Sequence, residues 1–214
     1  MNKFYKISIA FLAAFCILTL FVMTVDVQAI GPQGSSVGLA TINGAANKLF
    51  GSHRFFYILT EAIGYFALLV CVAFGCVGAV QLFKGKSLEA VDKKIIALGI
   101  FYIIVIAIYF AFSKIPINYR PMLESDLSLE PSYPSSHSVL ALCVYITACL
   151  QDAFKKLFGK YEKTCRILIG MVLPVIMLVG RLLSGIHWFT DILGAALLSM
   201  ALVCAYRGSI DRYL

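Results

Sequence analysis

Long, almost uncharged runs of apolar residues constrain this chain more than any other feature of its sequence. Each run is close to the ~20 residues that a helix needs to cross the hydrocarbon core of a bilayer. A backbone in lipid must satisfy its own hydrogen bonds, and a helix does so within a single segment. We therefore predict an all-α integral membrane bundle of six transmembrane helices. The predicted spans are residues 7–25, 55–83, 95–113, 138–151, 164–183 and 187–206, the fourth of them continuing as an amphipathic helix through residue 157.

The composition agrees with a membrane protein. Hydrophobic residues make up 61% of the 214 residues and charged residues only 14%, which is outside the usual range of soluble domains. The net charge of +7 comes from short loops between apolar runs, where membrane topology explains it and nucleic acid is not needed. The seven cysteines form no C-x-x-C pair, so neither a metal site nor a disulfide framework is predicted. Residues 1–214 are interpreted as one membrane-embedded domain with no obligatory protein partner evident.

The first part of the chain holds two segments with more than one interpretation. The first apolar run precedes V-Q-A at residues 27–29, which resembles a signal-peptide cleavage site. Its apolar core is longer than the about 7 to 15 residues of a typical signal peptide, so an uncleaved helix is preferred. The following loop, residues 31–54, carries apolar residues on one side of a short segment. We expect an interfacial helix there, either lying at the headgroup level or covering a site.

The distribution of Lys and Arg predicts the orientation of the spans. Short cytoplasmic loops carry an excess of these residues. Most of the 18 Lys and Arg residues fall on one side of the predicted spans: Lys3, Lys6, Lys84, Lys86, Lys93, Lys94, Lys155, Lys156, Lys160, Lys163, Arg166, Arg207 and Arg212; the others are Lys48, Arg54, Lys114, Arg120 and Arg181. We therefore expect both termini in the cytoplasm, and residues 114–137 and 181–191 together on the outer face of a plasma membrane. The acids of the outer loop, Glu124, Asp126 and Glu130, are expected to be solvated.

Two segments predicted on that outer face carry unusual polar residues. Arg181 and Asp191 are the only formally charged residues between positions 167 and 206, and His187 lies between them. A titratable group at bilayer depth is costly and marks a functional site by default. The site residues predicted from both segments are Lys114, Arg120, Ser135, Ser136, His137, Arg181, His187 and Asp191.

This set of side chains suits an anionic phosphate group. Guanidinium groups match phosphate oxygens bidentately, and a lysine adds a point charge. The amides around Ser135 and Ser136, where the fourth helix starts, add an anion-binding terminus. His187 and Asp191 are four residues apart, so on one helix the carboxylate can hold one imidazole nitrogen and leave the other as a nucleophile. His137 then remains as a proton donor.

The same residues resemble the three-part signature of the type 2 phosphatidic acid phosphatase superfamily of membrane lipid phosphatases. The matching stretches are K-x5-R-P from Lys114, P-S-S-H at residues 134–137 and G-R-x5-H-x3-D from Gly180. Three details differ from the family pattern. The first motif is one residue shorter between lysine and arginine, Ser136 stands where glycine is usual, and Gly180 stands where serine is usual.

The resemblance implies a metal-independent mechanism without a cofactor. His187 would attack phosphorus to form a phosphohistidine, and Asp191 would orient it. His137 would protonate the leaving oxygen and later activate water. The remaining cations would hold the phosphate oxygens: Lys114, Arg120 and Arg181.

We therefore expect a bacterial lipid phosphatase that removes a terminal phosphate from a lipid phosphate or diphosphate. The substrates considered are undecaprenyl diphosphate, phosphatidylglycerophosphate and phosphatidic acid, and the predicted outer location favours the isoprenyl diphosphate. A lipid phosphotransferase that uses the same histidine is one alternative. A noncatalytic lipid-phosphate binder or transporter is another, and it would not need His187.

Overall fold

The structure is a computed structural model that describes residues 2–123 and 127–213. Within these ranges the chain is helical, as predicted. The α-helices are α1 Lys3–Thr24, α2 Ala40–Phe50, α3 Arg54–Gly85, α4 Lys93–Phe112, α5 Ser136–Ala148, α6 Asp152–Phe158, α7 Glu162–Ile167, α8 Leu173–Leu183 and α9 Phe189–Tyr213.

Five helical stretches in the described part of the chain are long and apolar enough to cross a membrane. They are α1, α3, α4, α9 up to Asp211, and the continuous stretch Asp152–Leu183 that comprises α6, α7 and α8. Large apolar side chains on their outer faces are exposed, such as Phe83 and Ile103. A soluble protein rarely exposes so much apolar surface, whereas a bilayer covers it. The multi-pass membrane character predicted from the sequence is therefore confirmed.

The predicted fourth span differs from the observed helix. Instead of continuing through residue 157, α5 ends at Ala148 and α6 begins separately at Asp152. Between them lies Gln151, which is buried and donates to the Thr147 carbonyl at 3.1 Å and to the Tyr206 hydroxyl at 2.8 Å. At 1.5 Å per residue the 13 residues of α5 extend about 20 Å, less than the ~30 Å hydrocarbon core. The count of six spans therefore stays a prediction.

α5 forms the centre of the bundle because it is apolar on all sides. Most of its side chains are buried, and it packs against α3, α4, α8 and α9. The buried Tyr145 on α5 donates a hydrogen bond to the Ile63 carbonyl of α3. α1 packs along α9, where Ser8 donates to the Ala201 carbonyl at 2.7 Å. The packing of α5 against four helices places its first residues inside the protein.

Pro174 perturbs the fifth predicted span, residues 164–183. Proline lacks an N–H and its ring clashes with the carbonyl four residues earlier, so a regular α-helix cannot continue through it. The chain adopts a π-helical segment, Leu168–Val172, immediately before α8. Pro174 then stands in the first turn of α8, where a missing N–H costs little.

α2 lies in the loop where a short helix is expected, and it is anchored to the start of α9. The fully buried Asn43 of α2 donates to the Thr190 hydroxyl at 2.9 Å and accepts from the Thr190 N–H at 3.1 Å. Its position at the membrane interface stays a prediction. The anchoring fixes the first turn of α9, which carries Asp191.

Candidate active site

His187 and Asp191 form the predicted pair, but not on one helix. α9 begins at Phe189, so His187 lies in the turn before it and the predicted helix start at residue 187 is wrong. Asp191 lies in the first turn of α9 and accepts from the Trp188 N–H through Oδ2, at 2.9 Å. The same Oδ2 lies 3.3 Å from Nδ1 of His187. One carboxylate oxygen thus holds both the turn and the imidazole.

The other imidazole nitrogen of His187 is left available. The His187 side chain is only 3% exposed, and its Nε2 has no hydrogen-bond partner within residues 2–123 and 127–213. A carboxylate can only accept a hydrogen bond, so Nδ1 of His187 carries the proton that it donates to Asp191. In the neutral ring Nε2 therefore carries the lone pair. This is the tautomer that a nucleophilic histidine requires.

Burial and positive charge keep the imidazole of His187 neutral. Burial lowers the pKa of His187 well below its ordinary value of 6.5, and the positive charges of Arg120 and Arg181 lower it further. A buried imidazole loses solvation of its charged form, which is why the pKa falls. At neutral pH His187 is therefore unprotonated at Nε2.

A glycine permits the tight turn between α8 and α9. Gly185 has φ 74, in the left-handed region where a side chain is strained. A Cβ there would lie 2.7 Å from the Ser52 Cβ. The loop before α3 closes over this turn, since His53 N–H donates to the Leu183 carbonyl at 3.0 Å and the Ser52 hydroxyl donates to the Ser184 carbonyl at 3.0 Å. The turn that carries His187 is thus braced from outside.

The two segments predicted to share a face do meet. The Trp188 indole donates to the Tyr119 carbonyl at 2.6 Å, which joins the outer loop to the turn before α9. The Ser135 N–H donates to the Asp191 carbonyl at 3.1 Å, which joins the start of α5 to the start of α9. The P-S-S-H motif and the His187–Asp191 pair therefore lie side by side.

Arg181 is paired with a carboxylate that the sequence motifs do not include. Its side chain on α8 is 1% exposed, and its Nη2 lies 2.8 Å from Oε1 of Glu61 on α3. The same Oε1 lies 3.7 Å from Nε2 of His137 on α5. Nε of Arg181 has no hydrogen-bond partner in the described part of the chain. The guanidinium thus donates a hydrogen bond to Glu61 through Nη2 and retains Nε as a donor for a ligand.

Two glycines let α3 approach these residues closely. A Cβ at Gly180 would lie 2.6 Å from the Cγ2 atom of the buried Thr60, and a Cβ at Gly64 would lie 3.1 Å from the His137 ring. The departure of the third motif at Gly180 therefore has a packing reason, because a serine at this backbone position would collide with α3. α3 forms a wall of the site through Thr60, Glu61 and Gly64.

Arg120 is held in the outer loop by an acidic neighbour. Its Nη2 lies 3.0 Å from Oε2 of Glu130, and its N–H donates to the Glu130 carbonyl at 2.9 Å. Glu130 is partly exposed, as expected of a loop acid, but its pairing with Arg120 is not evident from the sequence. Glu124 and Asp126 lie outside the described residues.

The other predicted phosphate-binding residues differ in their placement. Lys114 is exposed just beyond α4, and it lines none of three cavities that lie beside the other site residues. The buried Ser135 shares a hydrogen bond of 3.0 Å with the Ser138 hydroxyl, and its amide is also engaged, so neither group faces a ligand in this conformation. Ser136 is partly exposed at the first position of α5, where helical amides have no partner within the helix.

The cluster consists of the charged and histidine side chains brought together here: Glu61, Arg120, His137, Arg181, His187 and Asp191. Three cavities lie beside this cluster. One of about 350 Å³ includes Arg54, Tyr57, Arg120 and Ser184. A second of about 200 Å³ includes Arg120 and Ser136. A third, of about 280 Å³, is mainly apolar and reaches Glu61 and His137; its other walls are Gly64, Tyr65, Leu68, Ile106, Tyr109, Phe110 and Leu140. The cluster thus lies between two cavities that include Arg120 and an apolar groove lined by α3, α4 and α5.

Sequence reasoning missed two residues that shape this site. Glu61 is a carboxylate inside an apolar run, which is the signal that singles out Arg181 and Asp191, so it was detectable. Asn43 gave no such signal, because asparagine is common in polar loops and its partner Thr190 is distant in sequence.

The fold and the site define a multi-pass helical membrane protein with a histidine–carboxylate pair and an arginine cluster at one end of its bundle. Residues 112–212 match the PAP2 superfamily. This part, somewhat under half of the chain, contains all three motifs, so the similarity to that superfamily extends over the motif residues of the candidate site.

A curated relative and a solved structure, both from Bacillus subtilis, are similar to this chain. Phosphatidylglycerophosphatase B of strain 168 is 33% identical over 78 residues, which are 36% of this chain and 38% of that relative's length. The crystal structure described as the first transmembrane PAP2 type phosphatidylglycerolphosphate phosphatase from this species aligns with a TM-score of 0.62 at 19% identity, over 97% of this chain and 98% of the other. The structural likeness establishes a shared fold.

Proposed function

We propose that this protein hydrolyses the terminal phosphate of a membrane lipid phosphate or diphosphate through a phosphohistidine at His187. The observation that carries the proposal is the state of His187. Asp191 holds its Nδ1, its Nε2 is buried without a hydrogen-bond partner in the described chain, and the charges of Arg120 and Arg181 act on it. A neutral nucleophile beside fixed cations is suited to attack on a phosphate anion.

In the first step, Nε2 of His187 attacks phosphorus. The bond between phosphorus and the lipid oxygen breaks, and His137 passes to that oxygen a proton that it takes up together with the anionic substrate. Burial and the charge of Arg181 lower the pKa of His137 to about 4, and the negative charge of a bound phosphate opposes the effect of Arg181. His187 becomes a positively charged phosphohistidine, which the carboxylate of Asp191 stabilises. Asp191 keeps its place as a hydrogen-bond acceptor throughout.

In the second step, water attacks the phosphohistidine. His137, now neutral, accepts a proton from the water as the new P–O bond forms and the P–N bond breaks. Inorganic phosphate leaves, and His187 returns to its neutral form. The cavity of about 350 Å³ beside the α8–α9 turn, which includes Arg54 and Arg120, supplies a route for water and for phosphate.

Positive charge and backbone amides stabilise the transferring group. Phosphoryl transfer depends mainly on positioning and on charge stabilisation. Arg181 offers the unpaired Nε, Arg120 lines two of the cavities, and Ser136 at the start of α5 adds a helix N-terminal amide. No metal ion is needed in this scheme, because the fixed cations supply the charge.

The apolar groove supports a lipid substrate. It lies between α3, α4 and α5, and its walls include Leu68, Ile106 and Phe110, whose side chains are also exposed on the outer surface. A lipid tail in this groove would bury apolar surface while its phosphate reaches the polar end beside His137. A soluble phosphate ester would gain nothing from the groove.

The proposed substrates share this division between apolar tail and terminal phosphate. The similarity to a protein named phosphatidylglycerophosphatase B favours phosphatidylglycerophosphate. The predicted location of the site on the outer face of a bacterial plasma membrane favours undecaprenyl diphosphate, and phosphatidic acid completes the set. The lipid bilayer is the medium in which each would reach the site.

A phosphate-release assay tests the proposal. Purified protein in detergent is incubated with each of these lipids, with and without EDTA, and inorganic phosphate is measured. We expect release from at least one lipid that EDTA does not abolish. His187→Ala and His137→Ala should each reduce the rate severely. His53→Ala is the matched control, because His53 is exposed before α3 and should retain the wild-type rate.

Four results would count against hydrolysis at His187. The absence of release from every lipid, or complete dependence on added metal, would contradict the proposal. Phosphorylation of a second lipid without free phosphate would identify a phosphotransferase. Full function in His187→Ala would identify a lipid-phosphate binder or transporter.

A further inference from the structure

Glu61 occupies a position between two groups that the proposed mechanism assigns to phosphate. A single oxygen, Oε1, lies 2.8 Å from Nη2 of Arg181 and 3.7 Å from Nε2 of His137. A distance of about 2.8 Å is typical of a charge-assisted hydrogen bond to a carboxylate or a phosphate. The carboxylate therefore contacts Arg181 where a phosphate oxygen could do so.

Arg181 requires an anionic partner before a phosphate binds. The Arg181 side chain is 1% exposed, and a buried guanidinium without a partner is strongly unfavourable. Glu61 supplies the negative charge when no phosphate is bound. When a phosphate arrives, it brings its own negative charge to Arg181, and the nearby carboxylate repels it.

Glu61 also has room to move. It lines the cavity of about 280 Å³ between α3 and α4, and Gly64, one turn further along α3, has no side chain to fill that space. Its side chain is 24% exposed, against 43% for Glu130 beside Arg120. Solvent screens an exposed ion pair more than a buried one, so Glu61 has the stronger effect on its arginine.

We infer that Glu61 is an internal anion that competes with phosphate for Arg181. It pairs with Arg181 in the empty site, gives way to the phosphate of the substrate, and takes Arg181 back when inorganic phosphate leaves. The inference rests on the proposed function to the extent that this site binds phosphate. No covalent step is involved.

The inference predicts that removing the charge of Glu61 tightens phosphate binding. Glu61→Gln keeps the size of the side chain and an oxygen for Arg181, but it removes the competing charge. We expect the Kd for inorganic phosphate to fall at least about tenfold, which corresponds to about 1.4 kcal/mol. If Glu61 only positioned Arg181 and His137, the same change would leave the Kd unchanged or raise it.

The experiment is a calorimetric titration of the purified full-length protein in detergent with inorganic phosphate. A second variant, Glu61→Asp, has a shorter carboxylate that reaches Arg181 less well, and its Kd should fall about threefold on the same scale. Glu162→Gln is the matched control. Glu162 pairs with Arg166 at the same 2.8 Å on α7, which contributes no residue to the cluster, so its Kd should equal that of the wild type.

The outcomes separate this inference from the proposed function. Tighter phosphate binding by Glu61→Gln, or by Glu61→Asp if the first variant does not fold, supports competition. Unchanged or weaker binding by the folded variants overturns it, and so does the absence of phosphate binding by every protein at millimolar concentration. Phosphate binding that follows the expected order, in a protein that hydrolyses none of the lipids, would overturn the proposed hydrolysis and leave the competition intact.

Discussion

The change Asp191→Asn isolates the electrostatic part of the proposed mechanism. The amide is nearly isosteric with the carboxylate and can keep the hydrogen bonds to Trp188 N–H and His187 Nδ1. It cannot stabilise the positive charge that develops on the imidazole as the phosphohistidine forms. Because His187 is neutral in the free protein, this loss acts on the transition state of the proposed reaction and therefore on kcat.

The geometry gives the expected magnitude. Oδ2 of Asp191 lies 3.3 Å from Nδ1 of His187. At that distance two unit charges attract by about 5 kcal/mol with an effective dielectric constant of about 20. An amide that keeps the hydrogen bond retains part of this, so a loss of about 3 to 4 kcal/mol remains. The expected decrease in kcat is about 10²- to 10³-fold.

The assay is the initial rate of phosphate release from a short-chain lipid phosphate in detergent. Asp92→Asn is the matched control, because Asp92 caps α4 by accepting from the Lys94 N–H at 2.8 Å and lies outside the cluster. Both variants should unfold near the wild-type temperature. A folded Asp191→Asn protein that keeps more than about a tenth of the wild-type kcat would refute the role given to the carboxylate.

Three further predictions follow from single features of the site. Burial and then the charges of Arg120 and Arg181 lower the pKa of His187 below 6.5, so in a pH–rate profile the acid limb of kcat/KM should lie below pH 6.5. Arg120→Gln removes one of these charges and should move the acid limb to higher pH. Lys114→Ala should reduce kcat/KM by less than about tenfold in the same phosphate assay, since an exposed cation contributes only ~0.2 to 1 kcal/mol. Gly180→Ser places a Cβ 2.6 Å from a buried threonine methyl and should destabilise the fold by about 1 to 3 kcal/mol in thermal unfolding, whereas Gly75→Ser, with open space around its Cβ, should not.

The apolar spans were predictable because hydropathy is a local property of the sequence. The predicted bounds of the second span, residues 55–83, differ from α3, Arg54–Gly85, only at the ends. The predicted continuation of the fourth helix through residue 157 was wrong for a tertiary reason. The chain turns after Ala148 because Gln151 is buried and bonded to Tyr206, and no local pattern reveals a partner so distant in sequence.

The candidate site was predictable where spacing and chemistry coincide. The convergence of Ser135 with Asp191 followed from placing both segments on one membrane face, and the structure joins their backbones. The pairing of His187 with Asp191 was expected from helical spacing but is achieved by a carboxylate that folds back onto a turn. A pairing can therefore be predicted correctly while its backbone geometry is not.

Glu61 shows what motif reasoning leaves out. Its partner Arg181 lies on another helix, and only the packing of α3 against α8 brings the two together. The close approach depends on glycines at 64 and 180, whose role is invisible until both helices are placed. The intramembrane charge itself was visible in the sequence, but its partner was not.

In the proposed mechanism His187 carries the phosphoryl group as a phosphohistidine. Wild-type protein is incubated with a lipid phosphate labelled with ³²P at its terminal phosphate, and the reaction is quenched in alkali, which preserves phosphohistidine. We expect label bound to the wild-type and His53→Ala proteins, lost on treatment with acid, and absent from His187→Ala. Label that persists in His187→Ala, or a wild-type protein that turns over substrate rapidly without ever retaining label, would contradict it.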